Sequence, residues 1–316
     1  MSAVPPEAQG QGRAPAVRGA PSETLRGHLA MLLFSILVAG SFSLGGLAAP
    51  HVSALALNAV RFMLAVALLG IAALLTTGLP RSALAAPWRY PLLGGIYSLY
   101  FVLMFVGLKT AHPVSASAVF TLMPLMAVVT GWLIMRQVAG PKVLLALMIG
   151  ALGAIWVIFR GDLSALARLQ IGRGEAIYLL GCVAHATYTP MVPWLNRGER
   201  PLVFSFWVLL AGAVLVTLIG WGDIRATDWA ALPAIVWITI VYTAVFATAI
   251  TFVLMQYASL RLTAAKVLAY TYLTPTWVIL WELALGHGAP PLLSVGGILL
   301  SFVAIAMLLR GDRRGV

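Results

Sequence analysis

Charge is what this sequence has least of. Only 9% of its 316 residues are Asp, Glu, Lys or Arg, 61% are hydrophobic, and the mean hydropathy is +0.98. A soluble domain carries about 25% charged residues, and this chain has too few to cover a water-facing surface. Soluble enzymes and nucleic-acid-binding modules are excluded on that ground, despite a net charge of +11 and a pI near 10.4. Cysteine is nearly absent: Cys182 stands alone, so no internal disulfide and no Cys-based metal cluster can form. No Walker loop, no His-Glu-x-x-His and no pair of carboxylates inside an apolar run is present. The expectation is a chain that is not an enzyme, that hydrolyses no ATP of its own, and that needs no cofactor or metal.

What the sequence has instead is long apolar runs. Ten are read between breaks of charge, Pro and Gly, at 29–48, 54–77, 91–109, 114–135, 142–159, 175–194, 202–221, 230–257, 264–285 and 291–309. Most are near the twenty residues a helix needs to cross a bilayer. Period-two alternation is absent, and backbone groups in lipid must be bonded within their own segment, so the spans are helices. The first 28 residues, rich in Pro, Gly and Ala, read as a disordered tail with no apolar core and hence not a cleavable signal peptide. With that tail in the cytoplasm, 14 of the 20 Lys and Arg fall on the inner side, 5 on the outer side, and Arg61 within the second span. The asymmetry places both termini inside, against the anionic leaflet of a bacterial inner (plasma) membrane.

The chain also repeats itself. Phe101-Val-Leu-Met104 recurs as Phe252-Val-Leu-Met255, Pro124 as Pro275, Arg160-Gly-Asp162 as Arg310-Gly-Asp312, and Val38-Ala39 as Val183-Ala184, all at nearly one offset. Two halves of five spans follow, 29–162 and 174–312. Five is odd, so the second half runs through the membrane in the opposite sense, as in transporters that expose a midplane site alternately to each side. The fold expected is an all-α polytopic membrane protein, ten transmembrane helices as two inverted five-helix repeats. The segment 162–173 between the halves is amphipathic and expected on the outer surface.

Gly40-Ser-Phe-Ser43, Asn58-Ala-Val-Arg61-Phe62, the mid-helix Pro124 and Pro275 and Ala186-Thr-Tyr188 together resemble the drug/metabolite transporter superfamily, EamA type. The resemblance covers nearly the whole chain after the tail. It implies a central cavity lined by spans 1, 3, 4, 6, 8 and 9 and the export of amino acids, aromatic ones included, or related metabolites. There is one departure. Where the family often has a Gly-Glu pair about a dozen residues after that Pro, this chain holds Arg136 and, beside Gly286, His287.

Polar and aromatic residues inside the spans are the candidate site, because ionisable groups in hydrocarbon are costly. His185 lies near the midplane on one helical face with Tyr178, Cys182 and Tyr188; Tyr97, Tyr100 and Met104 share a face of span three; Tyr270, Trp277 and Trp281 share a face of span nine. A deep phenol needs a partner that lipid does not supply, so Tyr97, Tyr100, Tyr188 and Tyr270 are expected to point inward. The substrate-binding set is Ser43, Tyr97, Tyr100, His185, Tyr188, Tyr270 and Trp277, for a mid-sized amphipathic solute. His185 and Glu282 are the coupling candidates; a neutral, hydrogen-bonded His185 and an interfacially solvated Glu282 are the alternatives. Glu282 is the one acid well inside a span, with Arg61, a substrate amine or protons as its possible partners. Arg61 is expected to be structural, snorkelling to the interface or bonding carbonyls, and Lys266 to snorkel to headgroups. Trp194, Trp221, Trp229 and Trp237 fit an interfacial belt. The expected partners are a small-molecule substrate (an amino acid) and the lipid bilayer, with no nucleic acid; a monomer suffices. The competing reading is a membrane enzyme or lipid-handling protein with a lipid-accessible groove.

Overall fold

The computed structural model describes residues 21–136, 138–168, 171–259, 261–262, 264–288 and 292–310. The described residues hold helices and no strand. In chain order they are α1 (Pro21–Ala48), α2 (Ala54–Thr76), α3 (Arg89–Gly107), α4 (Pro113–Phe120), α5 (Met123–Met135), α6 (Pro141–Ile158), α7 (Leu163–Ala167) and α8 (Arg173–Leu195). They continue with α9 (Pro201–Ile219), α10 (Trp221–Ala226), α11 (Ala234–Ala244), α12 (Thr251–Ser259), α13 (Ala264–Ala269), α14 (Thr274–Ala284) and α15 (Ser294–Arg310). Among the described residues, seven helical stretches are long and apolar enough to cross a membrane: Glu23–Ala48, Ala54–Thr76, Arg89–Gly107, Pro113–Met135, Pro141–Ile158, Pro201–Ile219 and Ala234–Met255. α15 is apolar but shorter. α8 is long enough but carries Glu175, His185 and two prolines, Pro190 and Pro193. Their outer surfaces are hydrocarbon: Leu75, Ile219 and Leu180 are exposed at 80%, 73% and 64%, an arrangement that water would penalise and lipid does not.

Two expectations change at this level. The tail was expected to run to residue 28, but α1 begins at Pro21. Proline suits a helix start because its missing N–H has no intrahelical duty there, and Glu23 adds a negative charge in the first turn. Of the four expected belt tryptophans, Trp194, Trp221 and Trp237 are exposed, whereas Trp229 is half-buried, its indole N–H donating to the Ile224 carbonyl at 3.0 Å.

Spans four and nine both break just before their proline. α4 ends at Phe120 and α5 restarts at Met123; a 3-10 turn, Tyr270–Leu273, separates α13 from α14. Pro124 and Pro275 cannot donate to the turn beneath them, so the ladder is interrupted at matching places. Span eight has a different interruption, a π-helical stretch over Val245–Ile250 between α11 and α12. The helices approach closely through glycine. A Cβ on Gly94 of α3 would lie 2.5 Å from the Val208 carbonyl oxygen and 2.6 Å from the Gly212 nitrogen of α9. One on Gly153 of α6 would lie 2.6 Å from the Gly297 oxygen of α15. Packing of backbone on backbone replaces the hydrophobic drive that lipid removes.

The bundle has two ends. The near end holds the start of α1, where Glu23 meets Arg261, and the start of α3, where Arg89 meets Leu195 and Glu199. The far end holds the finish of α1 and α3, the start of α4, the residues after α6 and the finish of α14, which line one cavity.

Candidate functional site

The candidate residues fall into three groups along the bundle. Midway, α3 and α8 bring four of them together. The His185 ring lies 4.7 Å from Tyr100, 6.1 Å from Tyr97 and 5.6 Å from Tyr188, and Tyr97 lies 5.2 Å from Tyr188. The i, i+3 spacings 97/100 and 185/188 set the pairs on facing stripes, and Gly181 lets α8 approach, its Cβ position lying 3.1 Å from the Tyr100 carbonyl oxygen. Tyr100 is buried, with its hydroxyl 2.9 Å from that of Tyr178. Tyr97, His185 and Tyr188 are half-buried, and among the described residues neither the Tyr97 nor the Tyr188 hydroxyl has a hydrogen-bond partner. Phe101 stacks edge-on to Tyr97 and Tyr100 at 4.9 and 4.6 Å.

Arg61 closes the back of this cluster. It is fully buried rather than snorkelling. Its guanidinium carbon sits 3.9 Å over the Phe101 ring, one terminal nitrogen donates to Thr248 Oγ1 at 3.1 Å, and the other reaches Asn58 Oδ1 at 3.4 Å. Thr248 belongs to the π-helical stretch and donates in turn to the Thr243 carbonyl at 2.8 Å. A Glu282–Arg61 pair, one of the arrangements the sequence allowed, is not formed.

The second group is the far-end cavity of about 470 Å³. Ser43, Gly46 and Leu47 of α1, Leu108, Lys109, Thr110, Ala111, His112 and Pro113 between α3 and α4, Arg160, Glu282 and His287 line it. Glu282 Oε2 lies 2.9 Å from His287 Nδ1 and 4.0 Å from His112 Nε2. Glu282 Oε1 and Ser43 Oγ are buried without a partner. Below them Phe42, Phe120 and Tyr178 pack edge to face at 5.7 and 5.9 Å and join Tyr100 and Met104 in one core, separating this cavity from the His185 cluster. Trp277 lies in the same packing, its indole donating to Ser35 Oγ at 3.0 Å. Tyr270 stands apart from the others. It is the third group, at the near end, its hydroxyl 2.9 Å from His28 Nδ1.

The near end is tied by ion pairs that the sequence reading missed. Arg89, 1% exposed, donates to Glu199 Oε1 at 2.7 Å and to the carbonyls of Ala86 and Leu195. Burial pushes the Glu199 carboxyl up, but Arg89 and the Arg197 backbone N–H outweigh it and hold the group below the ordinary carboxylate value. Arg261 donates to Glu23 at 2.7 Å and lies 3.6 Å over the Tyr257 ring. At the other end Asp162, expected in an amphipathic connector, caps the short helix α7 through Ser164 and Ala165, and those hydrogen bonds depress its carboxyl. Among the described residues no group of three or more His, Cys, Asp and Glu side chains could hold a metal ion.

The sequence model of the EamA-like transporter family matches residues 25–159 and, a second time, residues 172–310. The chain belongs to that family. Among known proteins, it is 25% identical over 275 residues to a Bacillus subtilis (strain 168) protein named uncharacterized transporter YyaM, across 86% of this chain and 90% of that one. A protein of known crystal structure shares the fold with a TM-score of 0.64 over 93% of this chain and 99% of its own, at 23% identity. This EamA-like chain is thus a multi-pass membrane transporter, and the drug/metabolite transporter resemblance read from Gly40–Ser43, Asn58–Phe62 and the two prolines holds.

Proposed function

We propose that this EamA-like chain is a secondary exporter of amino acids or related small metabolites. It works by alternating access, with ten spans as two inverted halves, both termini in the cytoplasm, in a bacterial inner membrane. It performs no chemistry on its cargo. The observation that carries the reading is the half-buried group Tyr97, His185 and Tyr188, in which neither tyrosine hydroxyl has a protein partner among the described residues. Buried polar groups are normally satisfied, and a solute with an apolar body and hydrogen-bonding ends satisfies these.

Helix packing supports the two-half reading. α3 packs on α8 as α11 and α12 pack on α1; α5 packs on α8 as α14 packs on α1; α3 packs on α9 as α11 packs on α2. The remaining large contacts, α6 with α15 and α2 with α9, map onto themselves when the halves are exchanged. The family match over two stretches and the paired breaks at Pro124 and Pro275 agree with it. Flux of a panel of radiolabelled amino acids into proteoliposomes holding only this protein tests the function. Saturable uptake of a subset is expected; equal leak of the whole panel through protein-containing and protein-free vesicles would remove the reading.

A further inference from the structure

The far-end cavity has a carboxylate with one oxygen in use and one idle. Glu282 is 2% exposed. Oε2 is claimed by His287 at 2.9 Å, with His112 behind it at 4.0 Å, while Oε1 has no partner and the nearby lining residue Ser43 offers a second buried, unpartnered oxygen. A carboxylate offers about four acceptor directions, and leaving an oxygen buried and unbonded costs the full desolvation of that atom. Nothing about packing requires this: α1 and α4 already meet through Gly46, whose Cβ position lies 3.0 Å from Pro113 Cγ. Oε1 only accepts and the Ser43 hydroxyl can accept as well as donate, so a donor with several hydrogens and a positive charge can bond to both. A primary ammonium has three hydrogens and no acceptor. The other fixed charges facing the cavity are Lys109 and Arg160, both exposed at its rim. The two histidines are exposed, at 49% for His112 and 38% for His287. Leu47, Leu108, Ala111 and Pro113 give the lining its apolar surface.

We propose that this cavity is a binding site for zwitterionic α-amino acids at the far end of the transport path. The ammonium docks between Glu282 Oε1 and Ser43 Oγ, the carboxylate faces Lys109 and Arg160, and the side chain lies along Leu47 and Leu108. His287 is the positioning residue: by holding Oε2 it leaves Oε1 free of a protein partner. The proposal rests on the transport reading for its substrate class but not for its chemistry, since recognition at this site needs no passage through the Phe42–Phe120–Tyr178 packing beneath it.

Isothermal titration of the purified full-length protein in detergent with hexylamine, hexanoate and norleucine tests it. The three share one carbon chain and carry the ammonium, the carboxylate or both. Norleucine is expected to bind best, hexylamine next, and hexanoate at least ten-fold more weakly than hexylamine. Glu282→Gln keeps the volume and removes the charge, and it should weaken hexylamine and norleucine at least ten-fold, because a charge-assisted bond is about twice as strong as a neutral one. Ser43→Ala should weaken both by a few-fold, and this variant serves if Glu282→Gln does not fold. Hexanoate binding as tightly as hexylamine, or hexylamine binding Glu282→Gln as it binds the parent, overturns the site. Norleucine that binds through Glu282 while no amino acid crosses proteoliposomes ends the transport reading and leaves the site standing. Flux whose half-saturation is unchanged in Glu282→Gln does the reverse.

Discussion

At the near end of the bundle, Arg89 and Glu199 are buried together with every strong bond made, and Arg261 sits between Glu23 and the Tyr257 ring. At the far end, Glu282 is just as buried but half its carboxylate is idle, and the cations stand away from it at the rim. Both ends are charged, and both join the first half of the chain to the second. The difference lies in satisfaction. A charge pair whose donors and acceptors are all matched holds two segments together, whereas a buried acid left unmatched is a vacancy for a ligand. Under the alternating-access reading proposed above, the two near-end ion pairs are the contacts that would have to part for that end to open.

The largest effect should come from the near end. Arg89→Ala strands Glu199, 8% exposed, without its cation, and breaking a buried pair from one side costs about 3–5 kcal/mol. Thermal unfolding in detergent should fall by several degrees. Arg89→Lys should recover only part of that, because an ammonium cannot reach Ala86, Leu195 and Glu199 in one fork. An unchanged unfolding temperature in Arg89→Ala would mean that this end is not pinned.

Acid should loosen the same pair. The folded value of Glu199 lies below the unfolded one, so its contribution is complete above the ordinary carboxylate range and is lost as pH falls through the depressed value. Unfolding temperatures of the parent and of Glu199→Gln should differ most near neutral pH and converge on acidification below about pH 4.5. A gap that is constant with pH would take Glu199 out of the account.

Between the two ends, His185→Gln probes the tyrosine cluster. It keeps hydrogen bonding and removes titration. Losing one good contact to a bound solute is worth about ten-fold in affinity, so initial flux at low substrate should drop by about that factor, with a flatter pH profile if the imidazole carries the proton. Flux and profile identical to the parent would leave His185 as packing only.

How much of this was legible depends on distance along the chain. Apolar runs announce helices because lipid permits nothing else, and Pro124 and Pro275 announce breaks because proline lacks a donor. The 97/100 and 185/188 spacings place four aromatic side chains on facing stripes, and a stripe is a local property. Tertiary partners were not local. Arg61 meets Thr248 from 187 residues away and Arg89 meets Glu199 from 110. The π-helical stretch that offers Thr248 has no sequence mark, so the structural role expected of Arg61 was legible but its partner was not: of the two arrangements weighed, snorkelling and bonding carbonyls, neither named the Thr248 hydroxyl. Tyr270 was grouped with the deep tyrosines by counting along one continuous helix. The chain instead makes six residues of α13 and a 3-10 turn, which leaves Tyr270 at the near end beside His28. Glu282 was recognised as an isolated acid, but His112 lies in a connector whose position no periodicity sets. His287, noticed only as a departure from the family, proves to be the residue that occupies Oε2.

The smallest effect sharpens the comparison most. The Glu23–Arg261 pair is partly exposed, at 32% and 23%, and solvent screens such a pair so that it adds little to stability. Glu23→Gln should therefore leave thermal unfolding within about a degree or two of the parent; it keeps Arg261 over the Tyr257 ring and removes the ion pair with Arg261 together with the exposed one to Arg26 at 2.7 Å. If the pair is one of the two near-end pins, even a weak contact should still shift the balance between near-end-closed and near-end-open forms. The chain supplies its own reporter. Cys182 is the sole cysteine and is fully buried on α8, one turn beyond His185 and beside Tyr178. A small maleimide arriving from the near end reaches it only past His185 and Tyr188. In proteoliposomes, Glu23→Gln should label faster than the parent by a few-fold at most, because the pair it removes is solvent-screened. Arg89→Ala, where it stays folded, should label faster still. Equal rates in the parent and both variants would mean that the near-end pairs hold the helices without gating them. Slower labelling in Glu23→Gln would mean that the pair favours the open form, and the two ends would have to exchange roles.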